Sequence, residues 1–164
     1  MRVLVTGGAG FIGSNVAEGL LQADHEVIIL DNFDPYYDLG IKEHNLNVCR
    51  EVGGDRFEFV EGSTTDETVV KEVIASRDIN VVYHQASKAG VRPSVEQPKV
   101  YNENNVGGVL TVLEAAANHG IDRAINASSS SVYGVPEYLP YDEDHPNHPK
   151  SPYAVTKLAA EHYC

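Results

Sequence analysis

Tyr153 and Lys157, in Tyr153-Ala154-Val155-Thr156-Lys157, are a pair that could move a proton. If the stretch is helical, positions i and i+4 share a face and an ammonium lies beside a phenol. A tyrosine at its ordinary pKa of about 10 is a poor base at neutral pH. A fixed positive charge beside it stabilises the phenolate and lowers that pKa. Taken alone, such a pair is usually a plain surface contact on a helix. The serine run Ser128 to Ser131 shifts the balance. A serine hydroxyl at the end of a strand can hydrogen-bond both a substrate oxygen and the tyrosine. As a polar turn, the same run would merely cap that strand.

A second group of residues suits an anion. Thr6-Gly7-Gly8-Ala9-Gly10-Phe11-Ile12-Gly13 follows Val3-Leu4-Val5, which reads as a first strand, and leads into Phe11 to Leu21, which reads as a helix. Amides at a helix start lack partners, and the helix dipole favours negative charge there, so a strand, glycine turn and helix make a diphosphate site. Gly7 permits the tight turn, Gly10 lets the backbone approach phosphates, and Gly13 lets the helix pack on the strand. The first glycine interval is one residue longer than in the G-x-G-x-x-G form. Asp31 ends the next apolar run, Val27-Ile28-Ile29-Leu30. A carboxylate there accepts from both ribose hydroxyls and repels a 2′-phosphate, which favours NAD over NADP. The positive nicotinamide of bound NAD would also favour the Tyr153 phenolate.

The elements that position these residues alternate. Asn32 to Gly40 is a turn-rich aromatic loop containing Tyr36 and Tyr37. Ile41 to Val52 reads as a polar helix and Arg56 to Val60 as a short strand. Asp66 to Ser76 reads as a helix with Thr65 as its N-cap. Val81-Val82-Tyr83 is a fourth strand ending at His84-Gln85-Ala86-Ser87, and Lys88 to Pro98 reads as a loop. Pro98 suits the first turn of a long helix to about His119, with Gly120 as its stop. Arg123 to Ala127 is a fifth strand, Gly134 to Pro152 a proline-rich acidic loop, and Tyr153 to Tyr163 a helix. The alternation predicts one domain over residues 1–164, a doubly wound parallel α/β sheet with helices on both faces. The glycine turn, Asp31, the serines and the Tyr153 helix then share its carboxyl edge.

Composition excludes several partners. The chain has 24 acidic and 12 basic residues, a net charge of −12, which argues against nucleic acid or an anionic membrane. Such a surplus also suits a high-salt, halophilic cytoplasm, where salt screens self-repulsion. No apolar run approaches a membrane span of ~20 residues, and no signal peptide is visible, so a cytoplasmic location is expected. Cys49 and Cys164 show no metal spacing and read as free thiols, and the histidines are scattered, so no metal is expected.

Thr6 to Gly13, Asp31-Asn32, Asn104-Asn105-Val106, Ser128 to Gly134 and Tyr153-x-x-x-Lys157 together resemble the extended short-chain dehydrogenase/reductase family. More narrowly, they resemble its NAD-dependent nucleotide-sugar epimerases and dehydratases. Asn32-Phe33-Asp34-Pro35-Tyr36-Tyr37-Asp38 and Ala89-Gly90-Val91-Arg92 look most like the UDP-glucuronate 4-epimerase branch, with UDP-glucose 4-epimerases close by. The resemblance implies a Rossmann-like fold and bound NAD. It implies that Gly7, Gly10, Phe11, Ile12, Gly13, Asp31, Asn32, Ser63, Thr64, Gln85, Ala86, Ser87, Asn104, Tyr153 and Lys157 contact the cofactor. Ser129, counted back from Val132-Tyr133-Gly134, matches the catalytic serine or threonine, with Tyr153 as base and Lys157 as its partner. Ser129, Ser130 and Arg92 would meet a UDP-hexose or UDP-hexuronate, and Lys88 lies near enough to do so. Dehydratases carry an acid pair where Ser130 and Ser131 stand, which favours an epimerase. An aspartate usual near the adenine is Ser63 here. Members continue beyond the Tyr-Lys helix, so the chain is expected to be part of a longer enzyme or a short NAD-binding module. Its two long helices form a dimer contact in the family, which implies a possible homodimer.

Overall fold

The computed structural model describes residues 1–121 and 123–164. Five strands, β1 (Arg2–Thr6), β2 (Glu26–Asp31), β3 (Phe57–Glu61), β4 (Val81–His84) and β5 (Arg123–Asn126), form one sheet in the order β3-β2-β1-β4-β5. Every pairing is parallel, with Leu4 opposite Ile28 on one side and Val82 on the other. Helices α1 (Phe11–Gln22), α2 (Leu39–Gly53), α3 (Glu67–Ala75), α4 (Val91–Glu96), α5 (Pro98–Asn102), α6 (Gly108–Asn118) and α7 (Pro152–Tyr163) connect or follow the strands.

The uninterrupted apolar runs of β1 and β2 are explained by burial on both faces. Alternate side chains separate into two cores. Leu4, Ile28, Leu30 and Val82 pack under Val70, Val73 and Ile74 of α3 and Val112, Ala115 and Ala116 of α6. Val3, Val5, Val27 and Ile29 pack under Ala17 and Leu21 of α1 and Leu46 and Cys49 of α2. β5 pairs only with β4 among the described residues, and Arg123, Ala124 and Ile125 are exposed. None of the described helices is long and apolar enough to cross a membrane.

The structure corrects three local expectations. The third helix begins at Glu67, and its cap is Asp66, not Thr65: Asp66 Oδ1 accepts from the Thr68 and Val69 amides at 2.9 and 3.2 Å. A carboxylate answers both the free amides and the dipole, while the Thr65 hydroxyl is bonded to Ser63 Oγ. The stretch after Ala89 is not all loop, because α4 occupies Val91–Glu96. Pro93 falls in its first turn, where a missing N–H costs nothing. The helix ends before Pro98, whose ring keeps Gln97 out of the helical region at φ −129°. The long helix from Pro98 is helical throughout but widens to a π-turn at Glu103–Gly107, between α5 and α6.

Candidate functional site

The strands end together, and a cavity of about 280 Å³ opens along their carboxyl edge. Every residue expected at the cofactor lines it. The glycine turn contributes Gly7, Gly10, Phe11, Ile12 and Gly13, and the end of β2 contributes Asp31 and Asn32. Ser63 and Thr64 follow β3, and Gln85, Ala86 and Ser87 follow β4. Asn104 comes from the wide turn, and Tyr153 and Lys157 from α7. Ser129, Ser130 and Arg92 do not line it, whereas Ser128 does.

The glycine turn is compact because side chains have no room. Gly7 has φ +67°, and a Cβ there would stand 2.7 Å from the Ala86 backbone. A Cβ at Gly13 would stand 2.3 Å from the Gly7 carbonyl oxygen, so α1 packs on the turn itself. Gly8, not singled out from the motif, would drive a Cβ into the Ile29 side chain at 2.6 Å. Gly10 is the N-cap of α1 and supplies no side-chain partner to its first amides. Those amides border the cavity as free donors, which is the donor set a diphosphate requires.

Asp31 is 6 % exposed and already engaged. Its Oδ2 accepts from the Ala9 amide at 3.1 Å, and its Oδ1 from the Phe33 amide and from Lys42 Nζ, both at 2.9 Å. A carboxylate has about four acceptor sites, so capacity for a ribose hydroxyl remains. Lys42 is a residue the sequence reading missed. On a polar helix it looked solvated, yet it is buried in α2 against Asp31 and lines the cavity. Its charge offsets the repulsion that Asp31 alone would exert on a 2′-phosphate.

At the other end, Ser151 Oγ accepts from the Ala154 amide at 3.1 Å and Pro152 opens α7, setting where Tyr153 and Lys157 emerge. Tyr153 stands edge-on to Tyr101 at 6.4 Å between ring centroids. Lys157 is 4 % exposed, and burial lowers its pKa while Glu161 one turn on raises it. His84 lies close enough to feel that ammonium. Burial, then Lys157, pushes its pKa down to about 3. Ser128 Oγ donates to Glu161 Oε1. Ser129 Oγ accepts from the Ser131 amide at 3.2 Å, capping a short 3₁₀ turn at Ser130–Val132. Asn105, buried in the wide turn, ties the halves together. Its Oδ1 accepts from the Lys88 amide at 2.7 Å, and its Nδ2 donates to the Lys88 carbonyl at 3.0 Å and to Thr156 Oγ1 at 3.1 Å.

A dinucleotide-type edge with a Tyr-Lys pair at one end defines the class, and comparison with known proteins gives the family. Residues 4–164 match the family described as GDP-mannose 4,6 dehydratase, and the chain belongs to it. It is 37 % identical over 161 residues to UDP-glucose 4-epimerase of Bacillus subtilis, covering 98 % of this chain and 46 % of that protein. It is 38 % identical over 159 residues to UDP-glucuronate 4-epimerase of Thermodesulfobacterium geofontis, covering 96 % of this chain and 48 % of that protein. Among solved structures it is similar to a mutant of Bacillus cereus UDP-glucuronic acid 4-epimerase in complex with UDP-4-deoxy-4-fluoro-glucuronic acid and NAD. The TM-score is 0.90 at 36 % identity, over 100 % of this chain and 51 % of that one. The UDP-glucose 4-epimerase of Bifidobacterium longum, in complex with NAD+ and UDP, gives 0.88 at 32 % identity, over 99 % and 48 %. The chain spans about half the length of the curated relatives it matches.

Proposed function

We propose that this chain is the dinucleotide-binding part of an NAD-dependent nucleotide-sugar 4-epimerase acting on a UDP-hexose or UDP-hexuronate. The observation that carries the reading is that Tyr153 and Lys157 open into the same cavity as the glycine turn and Asp31. The residues present suit the cofactor. The first amides of α1 would hold the diphosphate, Asp31 has acceptor capacity for a ribose hydroxyl, and Ser63 and Thr64, which line the same cavity, would meet the adenosine. Bound NAD supplies a centre that takes up and returns the hydride of the sugar's carbon 4. The chain's own residues handle the proton and the orientation. Tyr153 takes the 4-hydroxyl proton and gives it back, and such a transfer contributes roughly 10²–10⁴-fold. The Lys157 ammonium, one turn along α7 and lining the same cavity, would donate to the ribose of the bound cofactor. Ser129, which does not line the cavity, keeps the role of orienting the substrate oxygen only from the family resemblance, and Ser128 stands at the wall.

Ser130 and Ser131 hold no acid or base for water elimination, which favours epimerisation over dehydration. A second reading, an NAD-binding module without turnover, draws on Ser129, Ser130 and Arg92 lying off the cavity wall. The experiment is to purify the chain, measure bound NAD, and assay C4 inversion of UDP-glucuronate and UDP-glucose. Inversion supports the epimerase, and bound NAD without inversion supports the module. In the active protein, Tyr153→Phe should lower turnover by roughly 10²-fold or more while NAD stays bound. Undiminished turnover removes Tyr153 as the base.

A further inference from the structure

The loop after β2 and the loop after β4 meet in a contact that the reactions above do not use. Lys88 Nζ lies 2.6 Å from Asp34 Oδ2, and the two side chains are 24 % and 29 % exposed. The loops touch a second time. Gly90 has φ +101°, and a Cβ there would stand 2.9 Å from the Tyr36 hydroxyl. The two sides differ in their anchoring. The Lys88 backbone is clamped through both its N–H and its carbonyl by Asn105. The β2 side rests on local turn bonds, from the Asp34 amide to Asn32 Oδ1 and from the Tyr36 amide to Asp34 Oδ1.

Sheet order decides what lies between them. β1 stands between β2 and β4, and β1 runs into the glycine turn. An ion pair reaching from the loop of β2 to the loop of β4 therefore spans the cleft at that turn, and Asp34 and Lys88 line the same cavity with Gly7 and Gly10.

We propose that the Asp34–Lys88 pair is a strap that closes over the diphosphate of the bound dinucleotide and slows its escape. The proposal rests on the NAD reading above and adds retention to it. A site that oxidises and then re-reduces the same sugar must keep its cofactor between the two steps. The strap opens by separating two partly solvated charges, so salt should ease its opening.

The test follows dissociation of radiolabelled NAD from the loaded chain, chased with excess unlabelled NAD. The variants are Asp34→Asn, Lys88→Met and the double, each checked for folding by circular dichroism. Each single variant should release NAD roughly two- to five-fold faster, the range that removal of a partly exposed ion pair supports. The double should be no faster than the faster single. Raising KCl from about 0.05 to 0.5 M should speed release from the parent chain more than from any variant. Unchanged rates, or single effects that multiply in the double, overturn the strap. Slower release from Asp34→Asn also overturns it, because then Lys88 acts on the phosphates alone and Asp34 only restrains it. If the parent chain binds no NAD, the cofactor reading itself falls, and that result is distinct from bound NAD with unaltered release.

Discussion

His84 is a residue whose cost depends on pH. It lies in the core at the end of β4, with Nδ1 2.8 Å from the Thr6 hydroxyl and Nε2 without a partner among the described residues. Thr6 Oγ1 also accepts from the Ala86 amide. Asn126 Oδ1, in register on β5, is also buried without a partner among the described residues. The folded ring stays neutral down to about pH 3, whereas an ordinary histidine titrates near 6.5. Above that value neither state is charged, and His84 takes nothing from stability. As pH falls from 6.5 toward 3 the unfolded chain binds a proton that the folded chain refuses, so stability is lost by up to about 1.4 kcal/mol per pH unit. Urea unfolding of the parent chain and of His84→Gln across this range should show the parent losing stability more steeply, by close to one proton. Parallel slopes would sink the assignment. Neither His84 nor Lys42 was legible as a special residue in the sequence. A histidine at a strand end and a lysine on a polar helix have ordinary solvated readings, and only the folded chain brings His84 near Lys157 and Lys42 onto Asp31 and buries both.

The elements follow from sequence more directly, because burial on both faces of a parallel sheet leaves long apolar runs. The glycine turn was legible for the same local reason. Only glycine fits at φ +67° beside the Ala86 backbone, and only glycine fits at position 13 against the Gly7 carbonyl. Gly13→Ala should therefore destabilise the chain by about 1–3 kcal/mol, since the atoms it meets are backbone and cannot rotate away. Gly19, on the exposed side of the same α1, has nothing within 4 Å of its Cβ position. Gly19→Ala should stabilise by about 0.5–1 kcal/mol through helix propensity. Chemical denaturation of the pair decides the matter: two substitutions of equal sign would show that the close approach at Gly13 is not what sets its cost. The wide turn at Glu103–Gly107 had no such local signature. Its residues are acceptable in an ordinary helix, and what holds Asn105 inward is its set of bonds to Lys88 and Thr156, which belong to other elements. Ser128 was passed over for a related reason. Four serines in a row are alike in sequence, and only the path after β5 turns the first toward the cavity and the second into a cap.

At the scale of the whole molecule the surplus of charge is the dominant unsatisfied term. Much of the basic complement is already committed: Arg2, Lys42, Arg56, Lys71, Arg77 and Lys88 each face a carboxylate. With 24 acidic residues against 12 basic, the carboxylates left over repel one another across the surface. Salt weakens attraction and repulsion alike, but repulsion is in excess, so added salt should raise stability. The screening length falls from about 10 Å at 0.1 M to about 3 Å at 1 M, shorter than most separations between surface charges. The urea midpoint should therefore rise between about 0.1 and 2 M KCl at neutral pH. Near the sequence pI of 4.8 the excess is neutralised and the gain should shrink. An equal midpoint in low and high KCl at neutral pH would remove the adaptation to salt that the composition suggests. Salt should thus act in opposite directions at two scales, firming the fold through the net charge while loosening the Asp34–Lys88 strap. Measuring the midpoint and NAD release in the same KCl series, for the parent chain and for the Asp34 and Lys88 variants, separates the two effects, because the variants lose the strap and keep most of the surplus.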